Sequence, residues 1–455
     1  MARRRAGVAG AAIVSQPALL AIRARLGSAS LRHHAGGVWR LAHRWKRRVL
    51  FAFIDQGVYS AANFLLTILY AAWLPLDDFG RYVVIWTVAL FIEAIQTSLI
   101  VDSLPAIVSR HTRTNRSRLD ASAFWVVAGY SGLTSAALVA AALVVGAWKP
   151  VYAGPLLALA AVNPLQRLYL LCRRLAYIRD RQDIAATMAA LYGTVSLGGA
   201  FALAAAHALT LPAIILLWGL GTLAGVLAAM ALNVARPRAT RWTNVYWLAA
   251  EIWHSGRWLS AAAIAAWISN WAIFPLVAAT TGAGTAGIIR ALQNLLTPVV
   301  QFNAALHLAI LPRVADKVAE VGAHYGRRFA WRGTAIFSLI AGGYCAIIVA
   351  AAPAILPALY RKPEIAAAAH LLWPLALAIV LDAIRQASAI SLLANRRTRV
   401  VFVARAVSLA VFAAGAAVLH ALIGFEGILW ATAAASATGA VIVLASALST
   451  RTETR

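Results

Sequence analysis

The chain is poor in charged residues, and those it has are mostly basic. Asp, Glu, Lys and Arg make up 12% of its 455 residues, and only 15 residues are acidic. The charged share is about half of that in an ordinary soluble domain. A soluble fold of this length would need more polar residues to cover its surface. The scarcity of charge therefore excludes a soluble globular protein.

Cysteine is almost absent as well. Cys172 and Cys345 are the only two, and they lie far apart in the sequence. Such a pair forms neither a disulfide framework nor a metal-ligand cluster, so we expect both to be small apolar packing residues. No Walker A, HExxH or GxSxG sequence occurs either. We therefore expect no cofactor, no metal site and no catalytic residues.

What the chain has in abundance is long apolar runs. Hydrophobic residues make up 62% of the sequence, and the mean hydropathy is +0.76. A helix needs about 20 apolar residues to cross a hydrocarbon core roughly 30 Å thick, and these runs are too long for barrel strands. The pattern predicts an all-α polytopic membrane protein with about 12 transmembrane helices. The predicted spans are 49–74, 79–102, 121–148, 151–172, 183–207, 210–234, 257–281, 285–311, 333–359, 365–394, 399–421 and 425–448.

Arginine is concentrated in every second gap between these runs. The first 48 residues contain eleven basic residues and no acid, and the intervening gaps are short and nearly uncharged. The positive-inside rule therefore places both termini in the cytoplasm. We expect the membrane that the protein spans to be a plasma membrane. Because the basic residues flank spans instead of forming one stripe, the net charge of +26 does not indicate nucleic-acid binding. Arg361-Lys362 is the main exception, a basic pair on the predicted outer side.

The spans divide into two equal sets at a polar linker. Leu104-Pro105 and Leu311-Pro312 close the second and eighth spans, and each proline lies 25 residues after a glycine, Gly80 or Gly287. This common offset of 207 residues predicts a duplicated six-helix unit with both copies in the same orientation. The predicted parts are a basic, largely disordered cytoplasmic extension (1–48), two six-helix bundles (49–234 and 257–448), a cytoplasmic interfacial linker helix (235–256) and a cytoplasmic tail (449–455).

Three short segments resemble one family of transporters. They are Phe53-Ile54-Asp55-Gln56-Gly57 with Asn63-Phe64 and Phe79-Gly80; the segment 286–295 (AGIIRALQNL) with Leu311-Pro312-Arg313; and Gly427-Ile428-Leu429-Trp430-Ala431. Their order and spacing over about residues 50–448 are similar to those of the Wzx-like lipopolysaccharide and polysaccharide flippases. This family belongs to the multidrug/oligosaccharidyl-lipid/polysaccharide (MOP) exporter superfamily, which also contains the MATE exporters.

The resemblance implies a MATE-like fold and a transport function. Two six-helix bundles would enclose a cavity that opens to one side at a time, lined by the first, second, seventh and eighth spans. The implied substrate is an oligosaccharide on polyprenyl pyrophosphate, flipped across the bacterial inner membrane for O-antigen, capsule or exopolysaccharide synthesis. Membrane lipids surround the protein, and other polysaccharide-assembly proteins are candidate partners. Coupling in relatives often depends on an ion or on the membrane potential.

Ionisable groups inside spans are costly, so each is a functional candidate. Arg290 lies one to two turns inside the outer end of its span, where it would either bind pyrophosphate or reach the outer headgroups. Glu93 is either an ion-coupling site or a packing residue hydrogen-bonded to neighbouring helices. About 15 Å of depth separates it from Arg290 under the 207-residue offset, so we do not expect these two to pair.

The other candidates have structural alternatives too. Asp382 could couple to an ion, but Arg385 at i+3 could neutralise it. Asp55 could meet the substrate, or it could pair with Arg47 or Arg48. The amides Asn63, Gln96 and Asn294 complete the proposed substrate-binding set, although intramembrane amides also hydrogen-bond between helices. For Arg167, we expect the side chain to extend to the inner boundary.

Two alternatives to a flippase remain open at this stage. A MATE-like exporter of small cations would need an acidic aromatic pocket, and few acids lie in mid-membrane. A membrane-embedded glycan polymerase or glycosyltransferase would usually present a large outward loop, and every predicted outward loop here is short.

Overall fold

The computed structural model describes residues 48, 50–109, 116–234, 239–395 and 397–449, and these residues form helices joined by short turns. Eleven helices are long and apolar enough to cross a membrane, and a bent pair brings the count to 12. The predicted all-α class and number of spans are confirmed. The predictions for the N-terminal extension fall almost wholly outside the described residues, as does most of the tail.

The first half contains seven helices, of which α3 is a short segment on the predicted cytoplasmic side. A π-helical turn, Thr97–Val101, extends α2, and a 3-10 turn, Pro150–Tyr152, precedes α5. Helices α4 and α5 pack against each other, and α7 packs against both α5 and α6. The helices are α1 (Leu50–Trp73), α2 (Leu76–Gln96), α3 (Leu104–Ser109), α4 (Arg116–Trp148), α5 (Ala153–Ile178), α6 (Gln182–Ala205) and α7 (Leu211–Ala231).

The second half begins with the bent pair α8 and α9, whose axes differ by 46°. A 3-10 turn, Ala368–Leu371, joins α12 to α13. Helices α13, α14 and α15 pack together, with α11 against α13. The helices are α8 (Trp242–Trp271), α9 (Ile273–Thr280), α10 (Ala283–Val321), α11 (Ala323–Tyr360), α12 (Pro363–Ala367), α13 (Leu372–Ala394), α14 (Thr398–Ile423) and α15 (Phe425–Leu448).

Three glycines allow the sharp reversals between the helices of the second half. Gly282, Gly322 and Gly424 have φ angles of +106°, +98° and +68°, and they precede α10, α11 and α15. Side chains disfavour this left-handed region, whereas glycine adopts it without a steric penalty. The chain can therefore turn back within one or two residues, which keeps consecutive helices adjacent.

Several helices run further than the sequence predicts, and α8 and α10 are two of them. The linker from Trp242 onward is continuous with the seventh span in α8, so no break occurs at 256. Three aromatic residues of this segment are more than half exposed: Trp242, Tyr246 and Trp253. Helix α10 passes through Leu311-Pro312 to Val321, because a proline removes one backbone donor without necessarily ending a helix.

Arg167 does not extend to the membrane boundary. Its side chain on α5 is 0% exposed, and its Nη2 donates to Gln166 Oε1 at 3.3 Å. Its Nε and Nη1 find no hydrogen-bond partner among the described residues. The expectation of an inner-boundary position was wrong, because Arg167 lies on the face of α5 that packs inside the bundle.

Candidate functional site

A central cavity of about 1130 Å³ lies between the two sets of helices. This is slightly larger than the usual range of ligand pockets, about 300–1,000 Å³. Helices α1, α2, α8, α9 and α10 line it, as the resemblance implies, and α7, α13, α14 and α15 contribute too. Amides and aromatic rings dominate the walls. They include Gln56, Tyr59, Asn63, Tyr82, Trp86, Trp218, Asn270, Trp271, Gln293, Asn294, Gln301 and Gln386.

Backbone contacts between the halves close this cavity at the predicted outer end. The carboxylate of Asp77 accepts a hydrogen bond from the Gly284 N–H at 3.0 Å. One turn further, a Cβ on Gly287 would lie 3.1 Å from Gly80 N. Each of these pairs is separated by 207 residues. Equivalent positions of the two halves thus meet, as they do close to a two-fold axis.

Lys362 adds a second connection at the outer end. Its Nζ donates to the carbonyls of Ala71, at 2.7 Å, and of Leu74. These carbonyls lie at the C-terminal end of α1, where carbonyls lack helical partners and the helix dipole favours a cation. Burial lowers the pKa of Lys362. The exceptional basic pair on the outer side therefore has a structural role, since Lys362 joins the second half to α1.

The cavity extends toward the opposite, arginine-rich end. Its lining reaches Leu393 and Val401, each within one turn of the predicted cytoplasmic ends of α13 and α14. With the outer end closed by Asp77, Gly80 and Lys362, this arrangement is the one expected of a cavity accessible from the cytoplasm.

Arg290 lies near the predicted outer end of this cavity, between two indole rings. Its Cζ is 4.6 Å from the centroid of Trp86 and 5.6 Å from that of Trp271. The residue is 7% exposed and lines the cavity, so it does not reach the outer headgroups. None of the ion pairs among the described residues involves Arg290, and the groups interacting with it electrostatically are Tyr82 and Tyr360. Cation–π contact uses the faces of a guanidinium and leaves its N–H groups available for an anion.

Asn294 follows Arg290 by one helical turn and so lies on the same face of α10. It lines the cavity but is only 1% exposed. Its amide lies beside the Tyr360 hydroxyl, yet neither of its polar atoms makes a hydrogen bond of normal geometry. Tyr360 donates instead to the Ala291 carbonyl at 2.9 Å. Among the described residues, the Asn294 amide thus lacks a well-formed hydrogen bond, and it lies one helical turn from Arg290.

Glu93 lines the cavity from α2 and is partly exposed. Arg167 interacts with it electrostatically from inside the first bundle, whereas Arg290 does not. No ion pair between Glu93 and Arg290 occurs among the described residues. Arg167 is the cation of its own half that attracts Glu93, without a hydrogen bond or ion pair between them in the described part of the chain.

Asp382 also lines the cavity, and its neighbours compensate its charge. Arg385 Nε donates to Asp382 Oδ1 at 2.8 Å, and Gln386 Nε2 donates to Oδ2 at 2.6 Å. The predicted i, i+3 pairing is thus present. Arg405 approaches this pair from α14 and also lines the cavity. Two guanidinium groups and one carboxylate therefore lie in this part of the cavity lining.

Two predicted site residues lie outside the cavity lining. Asp55 is 0% exposed and accepts hydrogen bonds from Arg173 Nη2 and the Tyr177 hydroxyl, both at 2.7 Å. Its partner is thus Arg173, and the candidate partner Arg48 pairs with Asp180 instead. Gln96 is also 0% exposed, and its Nε2 donates to the Arg167 carbonyl at 2.8 Å.

Asn63 lies on the cavity wall, but both ends of its amide are engaged. Its Oδ1 accepts from the Tyr192 hydroxyl, and its Nδ2 donates to the Tyr59 carbonyl, both at 2.8 Å. The structure therefore brings five of the seven predicted site residues to one cavity, which are Asn63, Glu93, Arg290, Asn294 and Asp382.

The sequence interpretation missed the aromatic partners of Arg290. Trp86 and Trp271 lie on α2 and α8, 185 residues apart in the chain. A tryptophan inside an apolar span carries no signal that distinguishes a cavity ring from a packing ring. A single hint was available, since tryptophans are most common at membrane interfaces and these two lie within spans.

Comparison with known proteins gives a likeness in structure only. No protein-family model matches the sequence, and no curated protein matches it. The fold is similar to that of "Lipid II flippase MurJ, inward closed conformation", with a TM-score of 0.67, 13% identity, and coverage of 88% of this chain and 87% of that one. It is also similar to a multidrug resistance MATE family transporter of the MOP superfamily in its inward-facing conformation, with a TM-score of 0.74, 8% identity and coverage of 87% and 97%.

An outward-facing conformation of a MATE family transporter of the MOP superfamily fits less well. Its TM-score is 0.56 at 11% identity, with coverage of 89% of this chain and 94% of that one. The chain thus has a MATE- and MurJ-like fold, arranged as a multi-pass membrane protein. Its cavity is closed at the end where Asp77 meets Gly284 and extends toward the opposite, arginine-rich end.

Proposed function

We propose that the protein is a transporter that flips a polyprenyl-pyrophosphate-linked oligosaccharide across the bacterial inner membrane by alternating access. The observation that carries the proposal is Arg290, a buried arginine in the cavity that has no acidic partner among the described residues. A pyrophosphate supplies the missing negative charge, and a guanidinium binds phosphate oxygens with two parallel hydrogen bonds. The resemblance to polysaccharide flippases and the fold shared with MurJ support the same substrate class.

The charge of the whole cavity points in this direction. Three arginines and two acids line it, giving a formal charge of +1 with His307 neutral. Both acids, Glu93 and Asp382, have arginine neighbours in their own halves. A cavity in whose lining arginines outnumber acids favours an anion. We therefore keep Glu93 and Asp382 as coupling candidates that would act through their arginine partners.

The remaining walls suit a saccharide. Sugars present hydroxyl groups that hydrogen-bond to amides and C–H faces that pack on aromatic rings, and this cavity offers both kinds of group. Asn270 and Gln293 lie on the same walls as Trp218 and Trp271. In this function the polar headgroup occupies the cavity while the polyprenyl chain stays in the bilayer. The glycan would then serve O-antigen, capsule or exopolysaccharide synthesis, and other polysaccharide-assembly proteins would supply or receive it.

Export of small cations is the second candidate function. It is favoured by the likeness to a MATE family transporter, which has the higher TM-score, and by the aromatic walls. Arg290 opposes it, because its positive charge in the cavity would repel a cationic drug. Membrane-embedded glycan polymerisation or glycosyl transfer has no such supporting observation, and we propose that the protein is not an enzyme.

Transport of a lipid-linked saccharide by purified protein in liposomes tests the proposal. We expect Arg290→Ala to lower the flipping rate about 10- to 150-fold, since a hydrogen bond to a charged group contributes roughly 1.5–3 kcal/mol. Arg313→Ala is the matched control, because Arg313 lies on the same helix, is exposed and does not line the cavity. Full-rate flipping by a correctly inserted Arg290→Ala protein would remove Arg290 from the role.

Deletion of the gene tests the function in the cell. The flippase proposal predicts that a lipid-linked saccharide accumulates on the cytoplasmic leaflet and that a surface polysaccharide is lost. Normal surface polysaccharide together with sensitivity to cationic drugs would instead support the export function. Liposomes containing the wild-type protein and a cationic dye provide the corresponding measurement in vitro.

A further inference from the structure

A second group of cations lines the cavity far from Arg290. Arg385 on α13 is paired with the single carboxylate of Asp382, and Arg405 on α14 interacts electrostatically with both groups without pairing. Arg385 uses its Nε for this carboxylate, whereas no hydrogen bond or ion pair of Arg405 occurs within the described part of the chain. The cluster therefore carries a net positive charge that faces the cavity, with Arg405 as the group that is left over.

A nearby hydroxyl is also unused. Ser408 lies three residues after Arg405 on α14, and both residues line the cavity. Its Oγ is buried but has no hydrogen-bond partner among the described residues. Gly439 of α15 packs against both Ser408 and Arg385: a Cβ there would lie 2.6 Å from Ser408 Oγ and 3.0 Å from Arg385 Cδ. Close packing thus holds the hydroxyl and the guanidinium side by side.

The position of the cluster separates it from Arg290. His307 Nδ1 contacts the carbonyl of Gln386, the neighbour of Arg385, at 3.2 Å. His307 follows Arg290 by 17 residues on α10, which corresponds to about 25 Å along the helix. Arg405 lies seven residues from the predicted cytoplasmic start of α14, about 10 Å inside it. One pyrophosphate group is far too small to contact both places at once.

We propose that Arg385, Arg405 and Ser408 form a second anion-binding subsite, the loading subsite, near the inner leaflet. It binds an anionic group of the substrate while the cavity faces the cytoplasm, and Arg290 binds an anionic group deeper in the cavity. This inference rests on the proposed flippase function. The anion is either the pyrophosphate before it moves to Arg290 or a carboxylate on the saccharide while the pyrophosphate is at Arg290.

Two arginine variants and one matched control test the loading subsite. Arg405→Gln removes the charge, and Arg405→Lys retains it. Arg399→Gln is the control, since Arg399 lies on the same helix but is exposed and outside the cavity lining. Each full-length protein is placed in nanodiscs of zwitterionic lipid, and its thermal unfolding is compared with that of the wild type.

Binding is then measured with two probes, a polyprenyl pyrophosphate carrying a neutral sugar and one carrying a uronic acid. We expect Arg405→Gln to weaken binding about tenfold or more, Arg405→Lys to retain most of the affinity and Arg399→Gln to bind as the wild type does. An equal loss for both probes assigns the subsite to pyrophosphate. A loss confined to the uronic acid probe assigns it to the carboxylate.

Two results would overturn the inference in distinguishable ways. If Arg405→Gln binds both probes with wild-type affinity while Arg290→Gln does not, the loading subsite is wrong and the flippase function stands. If the wild-type protein binds neither probe, the proposed function itself fails. A correctly folded Arg405→Lys protein with the same loss as Arg405→Gln would show that geometry, rather than charge, is the requirement.

Discussion

Gly80→Ala places a methyl group where the two halves of the protein are in backbone contact. The new Cβ would lie 1.7 Å from the carbonyl oxygen of Ala283 and 2.3 Å from its carbon, whereas real Cβ contacts below 3.0 Å essentially never occur. The obstructing atoms belong to the backbone and cannot rotate away. Helices α2 and α10 must therefore separate by about 1.3 Å or more for the alanine to fit.

The substitution therefore raises the free energy of the conformation in which the outer end is closed. Overpacking of this kind costs about 1–3 kcal/mol, and it is relieved when the outer ends of α2 and α10 move apart. Since every 1.4 kcal/mol is a factor of ten, the ratio of outward-open to inward-facing molecules should rise about 5- to 150-fold. Gly287→Ala should have a smaller effect, because its Cβ would meet atoms at 3.1 Å.

Labelling of a cavity cysteine from outside the cell measures this shift. Asn270→Cys provides an exposed side chain on the cavity wall, and the native Cys172 and Cys345 are buried and can be replaced by alanine. The rate of reaction with a membrane-impermeant maleimide should rank Gly80→Ala above Gly287→Ala. Gly129→Ala is the control, because nothing lies within 4 Å of its Cβ.

Equal labelling rates in the Gly80→Ala and Gly129→Ala proteins would refute the reasoning. Such a result, in protein that inserts normally, would mean that the contact between α2 and α10 does not control access from outside. A Gly287→Ala effect larger than that of Gly80→Ala would contradict the steric argument specifically, since the distances predict the opposite order.

Two further substitutions test cationic side chains that connect helices. Lys362→Met removes both hydrogen bonds to the end of α1 and should raise outside labelling of the cavity about tenfold. Arg361→Gln, at the exposed neighbouring position, should leave the labelling rate unchanged. Equal labelling rates in the Lys362→Met and wild-type proteins would exclude Lys362 from closure of the outer end. Arg173→Met leaves the fully buried Asp55 without its cation and should lower the free energy of unfolding by about 3–5 kcal/mol. Thermal unfolding in detergent should show partial recovery when Asp55→Asn is added, and no recovery would contradict this explanation.

The spans and the contents of the cavity could largely be predicted from the sequence. Runs of about 20 apolar residues have few alternatives in a bilayer, since backbone polar groups there must be satisfied within a helix. A charged residue inside such a run must face protein or water, which is why Arg290, Glu93 and Asp382 were candidates and why all three line the cavity. The pairing of Asp382 with Arg385 followed from helical spacing alone.

Predictions about partners in other helices were less successful. Asp55 had two open roles, contact with the substrate or pairing with Arg47 or Arg48, but Arg173 lies opposite it on α5. Gln96 was a candidate for substrate binding, and Arg167 was placed by its depth along one helix. Their side chains point into the first bundle, and that depends on the rotation of each helix about its axis. Rotation is set by packing against neighbours, so it could not be read from single spans.

The sequence alone determined the class, the membrane spans, the predicted orientation and the short list of costly charges, because each depends on local hydropathy and on charge between spans. The tertiary structure decided which of those charges are compensated. Asp55 is paired with Arg173 from another helix of its bundle, whereas Arg290 has no ion pair among the described residues and lies between the rings of Trp86 and Trp271. It also decided that Lys362, an exception to the charge pattern, donates to the carbonyl of Ala71 at the end of α1. Charge compensation is a matter of a few ångströms between distant parts of the chain, and only packing sets such distances.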